Sequence, residues 1–358
     1  MDIKIVFPDN KEISFKKGIT AAEAVKTWKE ETLTYTVAVK INNKPSDLSC
    51  PITEHSKIDL IDISSGEGLS ILRHSISHVM AQAVQEVFPG AKVSIGPSIE
   101  DGFYYDFEYK ETFTIDDFAE IEKRMKAIIS ADHPFIREEM PREAAAKLFE
   151  DRGENYKVEL INDLPDEIKE VSIYKQGTYI DLCRGPHIPS TGMIKAFKLL
   201  NVAGAYWRGN ENNPMLQRIY GTGFATESEL HDYLTLLEEA KKRDHRRLGR
   251  ELDLFQVNEE AGAGLVIFHP KGMLLRYLIE EWERKEHLKR GYDMVMGPQI
   301  LKVDLWKKSG HFDHYRDNMY FTEVDEQTYG IKPMNCLSHM LIYKSKIRSY
   351  RDLPLRYF

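Results

Sequence analysis

Four side chains in two short stretches have types and spacings that could carry out chemistry. His74 and His78 lie four residues apart, so a helix would present both imidazoles on one face. Cys183 and His187 are also four residues apart, beside a Gly-Pro turn. Three imidazoles and a thiol suit a zinc site, and they equally suit acid–base or nucleophilic catalysis. The residue types alone leave these alternatives open.

Three further polar residues are candidates for the same site: Asp181, Lys157 and Tyr105. Taken singly, such residues are more often a cap, a surface lysine and a packed aromatic ring. Each of the two motifs, taken singly, is also only weak evidence for a functional site. No glutamate follows His74, so the first motif differs from the zinc-binding pattern of metalloproteases. The occurrence of both motifs in one predicted domain favours a functional site.

The composition is that of an ordinary globular protein. With 358 residues, 42% of them hydrophobic and 30% charged, the chain is long enough for two or three domains. No apolar run approaches the ~18 residues of a membrane span, and the N-terminus lacks the features of a signal peptide. The three separated cysteines do not form a disulfide framework. We therefore expect a cytoplasmic protein with no membrane partner.

The net charge of −8 argues against bulk, non-specific nucleic-acid binding, because such binding requires a dominating positive field. A local basic face is still compatible with this charge. The densest basic cluster lies within residues 241–250. It is either a solvated helix face or a contact surface.

The first elements are predicted from hydrophobic alternation. Residues 1–62 alternate as short strands around one helix, and Thr20 and Glu23 form a capping box at the start of that helix. A longer helix over residues 69–88 carries the two histidines of the first motif. They lie beside its apolar stripe, on the edge that faces a cleft or solvent.

The second motif is predicted to follow a strand end, where the chain must turn. Strands are predicted at 156–161, 171–174, 178–182, 197–204 and 217–220. Cys183 comes directly after the third of these strands. A helix is then predicted from Thr226 to about Gly249, and another over 273–290, followed by a strand at 293–296.

The two motifs resemble those of the editing domain of bacterial-type threonyl-tRNA synthetases. The matching stretches are His-Ser-x-x-His-Val at 74–79 and Asp-Leu-Cys-Arg-Gly-Pro-His at 181–187. The resemblance extends along the chain, since residues 243–255 resemble the family's linker. The helix from Met273 and the strand ending at Pro298 resemble class II synthetase motif 1, which implies a homodimer in the complete enzyme.

The resemblance implies an α+β multidomain fold. A ubiquitin-like β-grasp (TGS) domain would occupy residues 1–62, and an α+β editing domain would occupy 63–225. A linker helix would follow at 226–258. Residues 259–358 would begin a class II catalytic domain built on an antiparallel sheet. Because that sheet would lack strands, we expect residues 262–358 to expose apolar surface.

The resemblance also implies an activity, the ligation of L-threonine to tRNA(Thr) with ATP and magnesium, and one zinc ion in the catalytic domain. Zinc with an open position binds the amine and hydroxyl of threonine, so it rejects valine but accepts serine. Serine lacks only a methyl group, which is worth roughly 1–3 kcal/mol, or about 10–200-fold in discrimination. A second, hydrolytic site must therefore remove serine from seryl-tRNA(Thr).

The resemblance assigns six side chains to this editing pocket: His74, His78, Cys183, His187, Asp181 and Lys157. We expect a water molecule positioned by a histidine to attack the ester carbonyl, while the lysine holds nearby charge. An acyl intermediate on the cysteine is the second choice. The ligand set also suits zinc, as in alanyl-type editing domains, but we favour a metal-free pocket.

Cys336 resembles a zinc ligand of the family's catalytic domain, whose two histidine ligands are expected beyond Phe358. The ATP-binding residues of motifs 2 and 3 are expected there as well. We therefore expect residues 1–358 to retain at most the editing activity. The family usually has Pro-Gly after this cysteine, and the local turn is expected to differ at Leu337 and Ser338.

Two other interpretations stay open. A freestanding trans-editing deacylase would share the pocket, but it would not need the motif 1 segment. A non-enzymatic RNA-binding regulator would use the N-terminal domain and the basic helix as contacts. This second alternative makes the clustering of three histidines and a cysteine a coincidence, and it predicts no hydrolysis of aminoacyl-tRNA.

Overall fold

The computed structural model describes residues 2–358, which form an α+β protein with several separate sheets. Its first elements are β1 (Asp2–Val6), β2 (Glu12–Lys16), β3 (Ile19–Thr20), α1 (Ala21–Lys29), β4 (Thr36–Ile41), β5 (Lys44–Ser46), β6 (Pro51–Ile52) and β7 (Ser56–Asp62). Five of the strands form a sheet in the order β2-β1-β7-β4-β5, in which β1 and β7 are parallel. Thr20 and Glu23 form the predicted capping box, which is confirmed.

Two further sheets follow. The elements are α2 (Gly66–Val87), β8 (Lys92–Val93), β9 (Ser98–Ile99), β10 (Gly102–Glu108), α3 (Phe118–Ser130), β11 (Ile136–Pro141), α4 (Arg142–Asp151), α5 (Asn155–Asn162), β12 (Glu170–Gln176), β13 (Tyr179–Leu182), β14 (Ala196–Tyr206), β15 (Met215–Phe224) and α6 (Glu227–Lys242). One sheet has the order β14-β15-β10-β8, and α2 packs against its β10 and β15. The other has the order β11-β12-β13.

Helix α2 is the centre of the main core. Ser65 caps it through a hydrogen bond from the Gly68 amide, and most of its residues are buried. Its apolar side chains pack on the sheet of β10 and β15, and the same core includes Val37 and Ile61 of the first sheet. The first sheet and the helix with the two histidines therefore share one core, within the unit of residues 1–239.

The strand predicted at 156–161 is wrong, because these residues belong to helix α5. Alternating apolar and polar residues suggested a strand, but the side chains at 156, 157, 160 and 161 lie on one helical face. The backbone amides of Lys157 and Val158 both donate to the Glu154 carbonyl, so the helix begins there. This difference decides where the Lys157 side chain lies.

A second compact unit comprises residues 240–358. Its elements after α6 are α7 (His245–Glu251), β16 (Phe255–Val257), β17 (Val266–Phe268), α8 (Pro270–Lys289), β18 (Ile300–Lys302), α9 (Val303–Lys308), α10 (His311–Tyr315), β19 (Phe321–Val324), β20 (Gln327–Ile331) and α11 (Cys336–Lys344). Strands β18, β20 and β19 form an antiparallel sheet in that order.

Two predictions for this region need correction. The helix predicted from Thr226 to Gly249 is two helices, because the Asp244 side chain accepts a hydrogen bond from the Arg246 amide and starts α7. The segment 293–296 is not a regular strand. It pairs with residues 356–358 through one β-bridge, between Asp293 and Tyr357, and three backbone hydrogen bonds.

The expected exposure of apolar surface after residue 262 is confirmed. Helix α8 exposes large apolar side chains along its length: Met273, Leu274, Leu275, Tyr277, Leu278, Ile279 and Trp282. Among residues 2–358, no helix combines the length and the hydropathy that crossing a membrane requires.

Candidate active site

The fold brings the two motifs together. His74 and His78 occupy successive turns of α2, and Cys183 and His187 lie in the loop after β13. One ligand atom from each of these four residues lies within 4.8 Å of the others. The rings of His74 and His187 are stacked with their centroids 4.6 Å apart. The predicted clustering of the four side chains is therefore present in the structure.

Hydrogen bonds fix the tautomers of two of the imidazoles. Nδ1 of His74 is 3.1 Å from the Gly96 carbonyl oxygen, which can only accept, so Nδ1 carries the proton. The Ser75 hydroxyl donates to the Ile71 carbonyl and therefore accepts from Nδ1 of His187 at 3.0 Å. In both rings Nε2 is thus left with a free lone pair.

Both of these lone pairs face the Cys183 sulfur. The distances from Sγ are 3.0 Å to Nε2 of His74 and 3.4 Å to Nε2 of His187. A thiol has one proton, so it can donate to only one of the two imidazoles at a time. The other nitrogen remains a base that can accept a proton from a water molecule or bind a metal ion.

His78 lies deeper than predicted: it was expected on an edge that faces a cleft or solvent, but it is almost completely buried beside the cluster. Its side chain is only 3% exposed, because α2 packs this face against the sheets. Nε2 lies 3.5 Å from an oxygen of Asp181, which favours the proton on that nitrogen. Among the described residues, Nδ1 has no hydrogen-bond partner, so a third lone pair is buried beside the cluster.

Asp181 lies at the centre of a buried polar network behind the cluster. Tyr105 donates to Oδ2 at 2.6 Å, and Tyr179 donates to the same oxygen at 3.1 Å. The Lys157 ammonium pairs with Oδ1 and donates to the Tyr105 hydroxyl at 2.9 Å. The network fixes Asp181, and through it the orientation of His78.

The sequence interpretation named Asp181, Lys157 and Tyr105 as candidates, and the structure brings all three together. It missed Tyr179 and Ser75. Because side chains alternate along β13, Tyr179 lies on the same face as Asp181, so the strand pattern could have identified Tyr179 as a further candidate. Ser75 offered no such signal, because a serine in a helix usually bonds only to its own helix.

Burial sets the protonation of the cluster. It lowers the pKa of His74 below its ordinary value, and it lowers the pKa values of His78 and His187 well below theirs. Burial also raises the pKa of the Cys183 thiol to about 12. At neutral pH the site therefore holds three neutral imidazoles and a protonated thiol. Neutral imidazoles can act as general bases, whereas a protonated thiol is a weak nucleophile.

Access to the cluster is through its less buried members. His74 and Cys183 are partly exposed, whereas His187 and Asp181 are almost completely buried. A cavity of about 290 Å³ reaches Cys183 and is lined largely by apolar side chains, among them Leu160 and Leu182. Cys183 is the member of the cluster that lines this cavity, so a small group could approach the cluster from the Cys183 side.

A glycine allows the loop between Cys183 and His187 to pass close to Tyr174. Gly185 has a φ of +68°, and a Cβ at this position would collide with the Tyr174 hydroxyl. We expect Gly185→Ala to lower the free energy of unfolding by about 1–3 kcal/mol, through the left-handed backbone and the collision. Urea denaturation measures this change. Gly153→Ala is the matched control, since Gly153 has a φ of +73° and open space at its Cβ. Equal losses for the two variants would show that the Tyr174 contact is unimportant.

The predicted zinc ligand Cys336 lies elsewhere. It is exposed at the start of α11, in the unit of residues 240–358. Within residues 2–358, the only potential metal cluster of histidine, cysteine and acidic side chains is the one formed by the two motifs.

Comparison with known proteins gives one family match and many close relatives. Residues 171–220, which include the second motif, match the family described as "Threonyl and Alanyl tRNA synthetase second additional domain". A solved RNA-binding domain of threonyl-tRNA synthetase from Cryptosporidium parvum Iowa II is 39% identical where it aligns. It covers 32% of this chain and 29% of its own, with a TM-score of 0.31.

The curated relatives match nearly the whole chain. The threonine–tRNA ligase of Pelobacter propionicus is 57% identical over 99% of the chain, and that of Syntrophotalea carbinolica is also 57% identical over 99%. The chain covers 56% of each of these proteins, so it spans about half the length of the curated relatives it matches. Along 99% of its length the chain is thus similar to threonine–tRNA ligases, and its second motif lies within the match to a domain of threonyl- and alanyl-tRNA synthetases.

Proposed function

We propose that the cluster of His74, His78, Cys183 and His187 is a hydrolytic editing site that removes serine from seryl-tRNA(Thr). One observation carries this proposal: two neutral imidazoles direct free Nε2 lone pairs at the partly exposed Cys183, beside a cavity. The match of residues 171–220 to a domain of threonyl- and alanyl-tRNA synthetases supports it. Release of serine from seryl-tRNA(Thr) by the purified chain is the test.

The proposed reaction is hydrolysis of the ester by water. Nε2 of His74 accepts a proton from water while the water oxygen bonds to the ester carbonyl carbon. The bond from that carbon to the ribose oxygen then breaks, and the protonated imidazole returns the proton to the leaving oxygen. Serine and the free tRNA end are the products. Imidazole suits this exchange because its ordinary pKa lies near neutrality.

The remaining residues of the cluster have supporting roles in this proposal. In this proposal Cys183 donates its S–H to Nε2 of His187, so Nε2 of His74 stays free to accept a proton from water. The thiol has no nucleophilic role, because its raised pKa disfavours attack as a thiolate. Asp181 and Lys157 are too buried to touch a substrate, and they hold His78 and Tyr105 in place.

The four side chains also have the donor types for zinc, which would polarise the ester carbonyl and activate a bound water molecule. Two observations favour the metal-free site. Tetrahedral zinc with bonds of about 2.0–2.3 Å keeps nitrogen and sulfur ligands roughly 3.5 Å apart. The 3.4 Å from Sγ of Cys183 to Nε2 of His187 fits this spacing, but the 3.0 Å from Sγ to Nε2 of His74 is too short for it. Ligation by all four residues would also leave no open position for water.

Metal analysis tests this choice. We expect the protein to contain well under one zinc per chain at the editing site, and we expect seryl-tRNA hydrolysis to be unchanged by EDTA. A Cys336→Ser background removes the other proposed zinc ligand from the measurement. Stoichiometric zinc in that background, together with loss of hydrolysis on chelation, would replace the metal-free mechanism with a zinc-dependent one.

We further propose that the whole protein is a threonine–tRNA ligase that uses ATP and magnesium, binds L-threonine and tRNA(Thr), and forms a homodimer through the motif 1 helix. In this proposal residues 1–62 are the TGS domain, 63–225 the editing domain and 226–258 the linker. Residues 259–358 belong to the catalytic domain, in which Cys336 is a zinc ligand. The identity to threonine–tRNA ligases along the chain and the exposed apolar face of α8 support these assignments.

A further inference from the structure

A carboxylate from the first domain reaches the second motif. Asp47 follows β5 and is buried, although a charged side chain in a loop is normally exposed. One of its oxygens accepts a hydrogen bond of 2.8 Å from the backbone amide of His187. The other accepts one of 2.6 Å from the Tyr174 hydroxyl. Each carboxylate oxygen therefore binds a donor from the motif or its surroundings.

The loop that presents Asp47 is held on its own side. The Cys50 amide donates to the Asp47 carbonyl at 3.0 Å, which closes a turn. The Ala22 amide, at the start of α1, donates to the Leu48 carbonyl at 2.8 Å, and the Leu48 side chain lies in the core of the first sheet. The loop that carries the Asp47 carboxylate is thus held by contacts within the first domain, independently of its hydrogen bonds to the second motif and Tyr174.

The two groups that donate to Asp47, the His187 amide and the Tyr174 hydroxyl, control the position of the His187 imidazole. The amide bond fixes the backbone of His187, while the Tyr174 ring lies against the imidazole with a centroid distance of 4.4 Å. The burial of Tyr174 beside the Asp47 carboxylate raises the pKa of its phenol, so the phenol stays protonated and continues to donate. Hydrogen bonds to a charged acceptor are about twice as strong as neutral ones.

We propose that Asp47 is a positioning residue of the editing site, through which the N-terminal domain sets the geometry of His187. Its catalytic consequence rests on the proposed function. Asp47 does not touch the substrate. It holds the loop so that Nε2 of His187 faces Cys183, and the pocket is therefore completed by residues outside 63–225.

The kinetic test uses Asp47→Ala in the full chain. We expect kcat for seryl-tRNA hydrolysis to fall by about 10–100-fold, since displacement of a catalytic group by about 1 Å costs up to 10²-fold, while KM stays within about twofold. Asp47→Asn keeps one acceptor oxygen, and we expect it to restore part of kcat. Ser56→Ala is the control, because Ser56 is a buried polar residue whose hydroxyl bonds within residues 1–62, to the Glu54 carbonyl and the Asn42 amide, and not to the second motif. An unchanged kcat in Asp47→Ala, or an equal fall in Ser56→Ala, would overturn the proposal.

A second measurement does not depend on the enzymatic activity. The rate at which iodoacetamide alkylates Cys183, read for the Cys183 peptide by mass spectrometry, reports how firmly the loop is held. We expect this rate to rise at least about fivefold in Asp47→Ala, as local opening exposes the thiol, and to stay at the wild-type value in Ser56→Ala. An unchanged alkylation rate in Asp47→Ala would refute the positioning role. If the wild type fails to hydrolyse seryl-tRNA but the rate rises as expected, the proposed function fails and the positioning role stands.

Discussion

Replacement of His74 by alanine is expected to lower kcat for seryl-tRNA hydrolysis by about 10²–10⁴-fold, the range that a single general base contributes. His74 is the imidazole with both a free lone pair and partial exposure, so it is the member of the cluster that can reach a water molecule next to the substrate. Its pKa is lowered by burial, which keeps it in the basic form at neutral pH. Single-turnover release of serine from seryl-tRNA(Thr) measures the effect.

Cys183→Ala separates the two mechanisms for this cluster. In the water mechanism the thiol supports the imidazoles, so the variant is expected to retain clearly more activity than His74→Ala. In an acyl-enzyme mechanism the thiol is the nucleophile, and its removal would be at least as damaging. A Cys183→Ala variant as inactive as His74→Ala, with an acylated Cys183 trapped in the wild type, would reject the water mechanism.

Lys157→Met is expected to lower the free energy of unfolding by about 3–5 kcal/mol, because it leaves the Asp181 carboxylate buried without its cation. The side chains of Lys157 and Asp181 are only 3% and 2% exposed, so water cannot replace the lost ammonium. Tyr105 also loses the hydrogen bond from Lys157. Urea denaturation of the full chain gives the measurement.

Two controls define the origin of this effect. The double variant Lys157→Met/Asp181→Asn is expected to recover part of the loss, since the amide at position 181 carries no charge that needs compensation. Lys4→Met removes a solvent-exposed ion pair with Glu12 and is expected to leave stability essentially unchanged. A Lys157→Met variant as stable as Lys4→Met would show that the buried pair contributes little.

The sequence predicted the parts of this site that depend on local spacing. The i, i+4 histidines require only that α2 forms, and a capped, apolar 22-residue helix forms reliably. The loop motif needs only a strand end and a Gly-Pro turn. The meeting of the two motifs could be inferred because both belong to one predicted domain and their side chains suit one another chemically.

The remainder of the site depends on long-range contacts that leave no local pattern. The alternating polarity around Lys157 predicts a strand, although the same residues also fit one face of the helix that the structure shows. The Gly96 carbonyl that fixes the His74 tautomer is a backbone atom, and any residue would supply it. Asp47 lies 140 residues before His187, in the loop after β5, so only the folded chain reveals their hydrogen bond.

The central claim is that this cluster hydrolyses a serine ester and spares a threonine ester. The most direct test incubates the chain with seryl-tRNA(Thr) and, separately, with threonyl-tRNA(Thr), and measures the release of each amino acid. We predict that serine is released at least about tenfold faster than threonine, since a pocket sized for serine must exclude one methyl group. Equal release of the two amino acids, or no release of serine above the buffer rate, would contradict the claim.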